Sequence, residues 1–172
     1  MVIYYSAQGN SYNLAKKISE RTDEQAIPLV LLQEHPELFN LEKEKRIGIV
    51  FSVCYGEVPK SVDIFLQKAR LNPCTYFYSV ATCDSYFGNS LYHLREILKR
   101  RRCNLSYGAV FFRIANNAST WKKKILSIFY RLEGENKLAE QVAKAVQWRR
   151  IDYTMMESSL LRKLISVILL GG

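Results

Sequence analysis

The 172-residue chain is 48% hydrophobic and 24% charged, a globular balance that excludes a disordered polymer and leaves one domain room for a full core. No apolar run reaches the roughly 18 residues of a membrane span, and no basic patch precedes a long apolar run at the start, so neither a spanning helix nor a secretory signal is expected. The net charge of +9 gathers in Lys99–Arg102, Lys122–Lys124 and Arg149–Arg150. Such runs are solvated helix faces and ends, or they meet an acidic protein, an anionic membrane or nucleic acid; no nucleic-acid motif accompanies them, so nucleic acid is not expected. Cys54, Cys74, Cys83 and Cys103 form no C-x-x-C pair, and His35 and His93 lack metal-ligand spacing and read as surface residues. Reduced thiols, no metal and a cytoplasmic setting are expected.

Val2–Tyr5 is β-branched or aromatic and uncharged, as in a strand buried on both faces. It runs into Ser6–Ser11, small and polar, and then into a helix to about Arg21 with Leu14, Ala15 and Ile18 on one face. A strand, a tight loop and a helix N-terminus suit an anion: the first helical N–H groups are unpartnered and the dipole there is positive. Ser6 and Ser11 add hydroxyls, Gln8 and Asn10 amides, and Gly9 a close approach of the backbone. The same residues also read as an ordinary turn whose Ser or Asn caps the helix. Gln25–Leu32 is a second strand, interrupted by Pro28 and so placed at an edge; Gln33–Lys45 is a loop or short helix.

Arg46–Val53 is the third strand and Cys54–Pro59 a loop, with Pro59 opening a helix that presents Val62, Phe65, Leu66 and Ala69. Thr75–Thr82 is the fourth strand, Cys83–Asn89 another loop, and Leu91, Leu94, Ile97 and Leu98 mark the next helix. Leu105–Ala115 is the fifth strand, with Gly108 as its bulge, and helices follow over Trp121–Leu132 and Lys137–Trp148. Strands alternating with helices predict an α/β fold, a parallel sheet covered on both faces with right-handed crossovers. Ligands of such folds sit at the C-terminal ends of the strands, where strand order reverses. Three loops at that rim are rich in Gly, small polar or aromatic residues: Ser6–Ser11, Ser52–Gly56 and Thr82–Asn89.

The chain resembles a flavodoxin, whose first loop has the form S/T-x-T-G-N-S/T and holds the FMN phosphate. The loop here is S-A-Q-G-N-S. It is most similar to the flavodoxin half of flavodoxin–ferredoxin fusion proteins, with loops S-G-T-G-N-S, V-F-P-V-Y-x-G-x-x-P and A-T-C-G-x-x-x-G-N. This sequence reads V-F-S-V-C-Y-G-E-V-P over Val50–Pro59 and A-T-C-D-S-Y-F-G-N over Ala81–Asn89. The likeness covers about residues 1–117. It implies a flavodoxin-like doubly wound sheet of five strands in the order 2-1-3-4-5, taken from the family, with FMN at the switch point. Ser6, Gln8, Gly9, Asn10 and Ser11 are then implied to hold the phosphate. Val53, Cys54, Tyr55 and Gly56 line one side of the ring, and Thr82, Cys83, Asp84, Tyr86, Phe87 and Gly88 the other. Cys54 and Cys83 are expected as neighbouring free thiols beside it. Among the departures from the family, Ala7 replaces Gly, Gln8 replaces Thr, and Asp84 replaces Gly and brings negative charge toward the ring. The iron–sulfur half has no counterpart, because four scattered cysteines cannot supply its ligands.

Residues 1–150 read as the flavodoxin-like domain and 151–172 as a C-terminal segment carrying an amphipathic helix. Within it Leu160, Leu161, Leu164, Ile165 and Ile168 form one stripe, which suits packing on the domain, a homodimer or an interfacial membrane helix. The resemblance implies an FMN-binding redox protein, an electron carrier or an FMN-dependent reductase, acting on a partner protein or a small acceptor. Its basic charge suits an acidic or membrane-bound partner. The other reading is a flavodoxin-like module without flavin that serves binding or assembly, favoured by Gln8 and Asp84.

Overall fold

The computed structural model describes residues 1–6, 10–36, 39–84, 86–113 and 133–157. Five parallel strands form one sheet: β1 (Val2–Tyr5), β2 (Ala26–Pro28), β3 (Arg46–Ser52), β4 (Tyr76–Cys83) and β5 (Leu105–Phe112). Their order is β2-β1-β3-β4-β5, the flavodoxin-like order that the resemblance implies. The helices are α1 (Asn10–Thr22), α2 (Leu29–Glu34), α3 (Lys60–Lys68), α4 (Ser90–Arg100) and α5 (Glu135–Gln147).

Period-two alternation along the strands sorts their side chains between two cores. Ile47, Ile49 and Phe51 of β3 join Phe65 and Leu66 of α3 and Leu94 and Leu98 of α4 on one face. Val50 points the other way, to Leu14 and Ile18 of α1 and Val142 and Val146 of α5. The interior strands are therefore buried on both faces and read as near-continuous apolar runs. Among the described residues no helix is long and apolar enough to cross a membrane.

Two expectations are corrected. The second strand ends at Pro28 and not at Leu32. Proline has no N–H for the ladder, and Leu29 and Leu32, three apart, bury themselves better as the short helix α2. The bulge of β5 falls at Ser106 and not at Gly108: Phe77 faces Leu105 while the next residue, Tyr78, faces Tyr107. Gly108 has a different task, since a Cβ there would meet Met156 Cγ at 3.0 Å. Of the predicted helices, 121–132 lies outside the described residues, as does the tail beyond Glu157.

Over residues 151–157 the chain stays on the sheet. The Asp152 N–H donates to the Ser106 carbonyl at 2.8 Å, so the bulge is bonded from the edge. Tyr153 lies under the Arg95 guanidinium at 4.4 Å, and Met156 is fully buried in the core. Met156→Ala is expected to cost about 2–5 kcal/mol of stability by leaving a cavity over Gly108. Urea unfolding measures it, and a loss below that range would mean that this segment rests on the domain without holding it.

Candidate functional site at the C-terminal rim of the sheet

The loops after β1, β3 and β4 leave the sheet at one rim, because the three strands are adjacent and parallel. The first begins at Ser6, whose Oγ is buried and finds no hydrogen-bond partner among the described residues. Ala7, Gln8 and Gly9 lie outside them, and Asn10 is described by its backbone alone, at the start of α1. Ser11 turns inward. It is fully buried, and its Oγ lies 2.8 Å from Ser52 Oγ and 3.0 Å from Thr82 Oγ1. Thr82 also donates to the Phe51 carbonyl at 3.4 Å. Ser11 and Thr82, both singled out for the ligand, thus engage their hydroxyls with each other. Ser52 completes the cluster and was missed; its signal is a hydroxyl ending an apolar strand opposite Thr82.

The second loop is a two-residue reversal. The Cys54 N–H donates to the Glu57 carbonyl at 3.1 Å and the Glu57 N–H to the Cys54 carbonyl at 2.9 Å. Both central residues have positive φ, Tyr55 at 51° and Gly56 at 78°, the geometry of a type I′ turn. Glycine accepts this freely, whereas a tyrosine there is strained. The Tyr55 side chain is wholly exposed, with no packing to offset the strain. Glu57 pairs with Nδ1 of His93 on α4, which fixes the far side of the turn. Val53 is half-buried against the core and donates its N–H to the Thr82 carbonyl at 2.9 Å.

The third loop locks onto the second. Gly88 has φ 57°, and a Cβ built on it would lie 2.2 Å from the Gly56 carbonyl oxygen. A Cβ on Gly56 would meet the Tyr86 ring at 2.7 Å. The two glycines are therefore in backbone contact with Tyr86 over them. Asp84 is exposed, and its Oδ1 accepts from Nε and Nη2 of Arg113, each at 2.8 Å. Arg113, just past β5, was also missed; it balances the charge that Asp84 brings to this rim. Phe87 does not face the rim at all: it is buried, edge-on to Phe112 at 6.0 Å. The Asn89 Oδ1 atom is buried without a hydrogen-bond partner among the described residues. Cys54 and Cys83 stand at this same rim as free thiols, the first exposed and the second half-buried. Burial pushes the Cys83 thiol well above its ordinary pKa, and the Asp84 carboxylate pushes the same way. Among the described residues no group of His, Cys, Asp and Glu is arranged to hold a metal ion.

A family model for the flavodoxin domain matches residues 1–83, which span the first two loops and the strand leading into the third. The chain carries a flavodoxin-like domain. Solved structures share the fold at low identity. A flavodoxin from the domain Archaea superposes with a TM-score of 0.55 at 14% identity, over 85% of this chain and 96% of its own. The Trp repressor binding protein of Bacillus subtilis does so with a TM-score of 0.51 at 14% identity, over 77% and 96%. A Bacteroides uniformis protein assigned as a flavoprotein gives 0.51 at 16% identity, over 73% and 96%. No curated protein matches the sequence significantly.

Within the flavodoxin-like domain, Gly88→Ala is expected to part the two loops. The left-handed conformation alone costs alanine about 1–2 kcal/mol, and the collision with Gly56 adds to it. Thermal unfolding should show a loss at least that large, and an unchanged melting temperature would contradict the contact. Thiol titration should separate the cysteines by burial. Cys54 and Cys74 are exposed and should react with a disulfide reagent in native protein, whereas Cys83 and Cys103 should wait for denaturant. Raising the pH toward 9 should not release Cys83, because its thiolate forms only well above that.

Proposed function

We propose that the flavodoxin-like domain binds FMN at this rim and acts as a redox protein, passing electrons to a partner protein or a small acceptor. The observation that carries this reading is the Ser6 hydroxyl, buried and unpartnered where the first loop leaves β1. A buried donor without a partner costs about 1–3 kcal/mol, a cost that a bound phosphate would relieve. The fit extends to Tyr55, an exposed aromatic held in a strained turn at the same rim, and to Asp84, whose charge Arg113 offsets.

Ser6 would hold the phosphate together with the start of α1 and with Gln8, Gly9 and Asn10 of the first loop. Tyr55 would offer its face to the ring, and Tyr86 and the joined backbones of Gly56 and Gly88 would shape the floor. Ser11 and Thr82 would act from behind, keeping the strand ends together. When bound, the flavin would supply the electron-transfer chemistry, and the protein's part would be to bind, orient and tune it. Four free cysteines suit a reducing compartment such as the cytoplasm.

A second reading, a flavin-free binding module, is favoured by one observation: Gly56 and Gly88 touch, closing the space between the second and third loops at that level. Titration of the flavin-free protein with FMN, riboflavin and FAD separates the two. FMN is expected to bind tightest, because riboflavin brings no phosphate and FAD a less charged one with adenosine attached. Equal affinity for riboflavin and FMN would remove the phosphate loop from the reading, and no binding of any flavin would favour the second. Ser6→Ala is expected to weaken FMN by roughly tenfold while leaving riboflavin unaffected. Because it removes an unpartnered buried hydroxyl, the same variant should not lower the stability of the flavin-free protein.

A further inference from the structure

The pole opposite the loops is built differently. Each long helix returns antiparallel to the strands, so the helix C-termini gather at the starting edge of the sheet. Basic residues favour such ends, because the helix dipole is negative there. At α4 the run Lys99–Arg102 is fully on the surface, and at α5 Arg149 and Arg150 are exposed. Both ends converge on the beginning of β5. Arg102 lies three residues before it, while the Arg150 carbonyl accepts from Tyr76 Oη at 2.6 Å and Asp152 bonds Ser106.

Dipole preference does not account for two of these arginines. α4 and α5 end in the same backbone turn. The N–H groups of Arg102 and Cys103 return to the Lys99 and Leu98 carbonyls, both at 2.9 Å, and those of Arg149 and Arg150 to Val146 and Ala145, at 3.2 and 2.8 Å. This turn requires a left-handed residue, usually glycine. The chain places Arg102 there at φ 60° and Arg149 at φ 47°. Neither side chain makes an ion pair among the described residues. Long cationic side chains in a glycine position, with no ion pair among the described residues, point to a requirement outside the fold.

The same corner exposes two large apolar side chains. Trp148 is 80% exposed and Ile151 66%, directly flanking Arg149 and Arg150. The hydrogen bonds from Tyr76 and to Ser106 hold the backbone beneath them. Tryptophan and isoleucine interleaved with arginine match the boundary of an anionic bilayer, where rings enter the headgroup layer and guanidinium groups meet lipid phosphates.

We propose that this corner, centred on Trp148 and Ile151 and ringed by Arg100, Arg102 and Arg149, with Arg150 paired to Asp152 at 2.8 Å, docks the protein on an anionic lipid membrane. The charge comes from helices on both faces of the sheet and spans the pole, which suits an extended anionic plane better than a single acidic epitope. On the flavin reading, an acidic redox partner needs the opposite rim, so this pole is free to face lipid. The docking surface itself does not depend on flavin.

The test uses the full chain and vesicles of phosphatidylcholine with or without phosphatidylglycerol. Sedimentation should show binding only with phosphatidylglycerol, weakening as salt screens the charges. The chain has two tryptophans, so Trp121→Phe leaves Trp148 as the reporter, and its emission should shift to the blue on binding. Trp148→Ala with Ile151→Ser should weaken binding about tenfold. Arg102→Gly with Arg149→Gly should weaken it comparably while raising the melting temperature, because glycine suits both turns. A raised melting temperature excludes misfolding as the cause of lost binding. Binding that is absent, equal on neutral vesicles or indifferent to these variants overturns the proposal. Binding to polyglutamate but not to phosphatidylglycerol vesicles would also overturn it and assign the corner to an acidic protein.

Discussion

Three hydroxyls, those of Ser11, Ser52 and Thr82, meet in the interior just beneath the loops. Ser11 and Thr82 are buried, and polar groups in that position bond to neighbouring polar groups because burial without a partner is costly. Their mutual bonding joins the start of α1 to the ends of β3 and β4. Everything at the rim is placed relative to that junction. Ser11, at the start of α1, turns inward to it, while Ser6 is the buried hydroxyl without a partner among the described residues. The second and third loops must leave from strand ends held in register, Ser52 against Thr82. Only then can Gly56 and Gly88 come into backbone contact.

That contact shapes what the rim offers. Two glycines with positive φ let the loops touch, and the aromatic residues beside them are displaced outward or inward. Phe87 goes into the core, Tyr86 lies over Gly56, and Tyr55 is pushed into solvent at the tip of a strained turn. The Asp84–Arg113 ion pair and the Glu57–His93 contact brace the two loops from outside. The rim therefore presents Tyr55, wholly exposed, on a braced base.

The molecule is polar along the strand direction. Helix N-termini and small, hydroxyl-bearing loops occupy one end; helix C-termini with Arg100, Arg102, Arg149 and Arg150 occupy the other. A parallel sheet with antiparallel return helices produces this division without further design, since every dipole points the same way. Placing arginines at left-handed positions goes beyond what the dipole rewards. At α1 the equivalent position holds Asp23, at φ 54°, a short residue that visits this conformation more readily.

Sequence by itself determined the elements and their kind. The apolar runs of β1, β3 and β4, the helical spacing of Leu14 with Ile18 and of Leu94 with Leu98, and the small polar stretches between them are local patterns, readable because periodicity is a local property. The strand order was implied by the resemblance to flavodoxins that the three loop motifs carry. Tertiary structure alone decided which buried hydroxyls find partners. Ser6 and Ser11 look alike in the sequence, and only the approach of Ser52 and Thr82 from strands forty and seventy residues away separates them. It also decided the contact of Gly56 with Gly88, the bulge at Ser106, and the balancing of Asp84 by Arg113 from another strand. In each case the partner is distant in the chain, and a pattern read along one segment holds no information about what packs across from it.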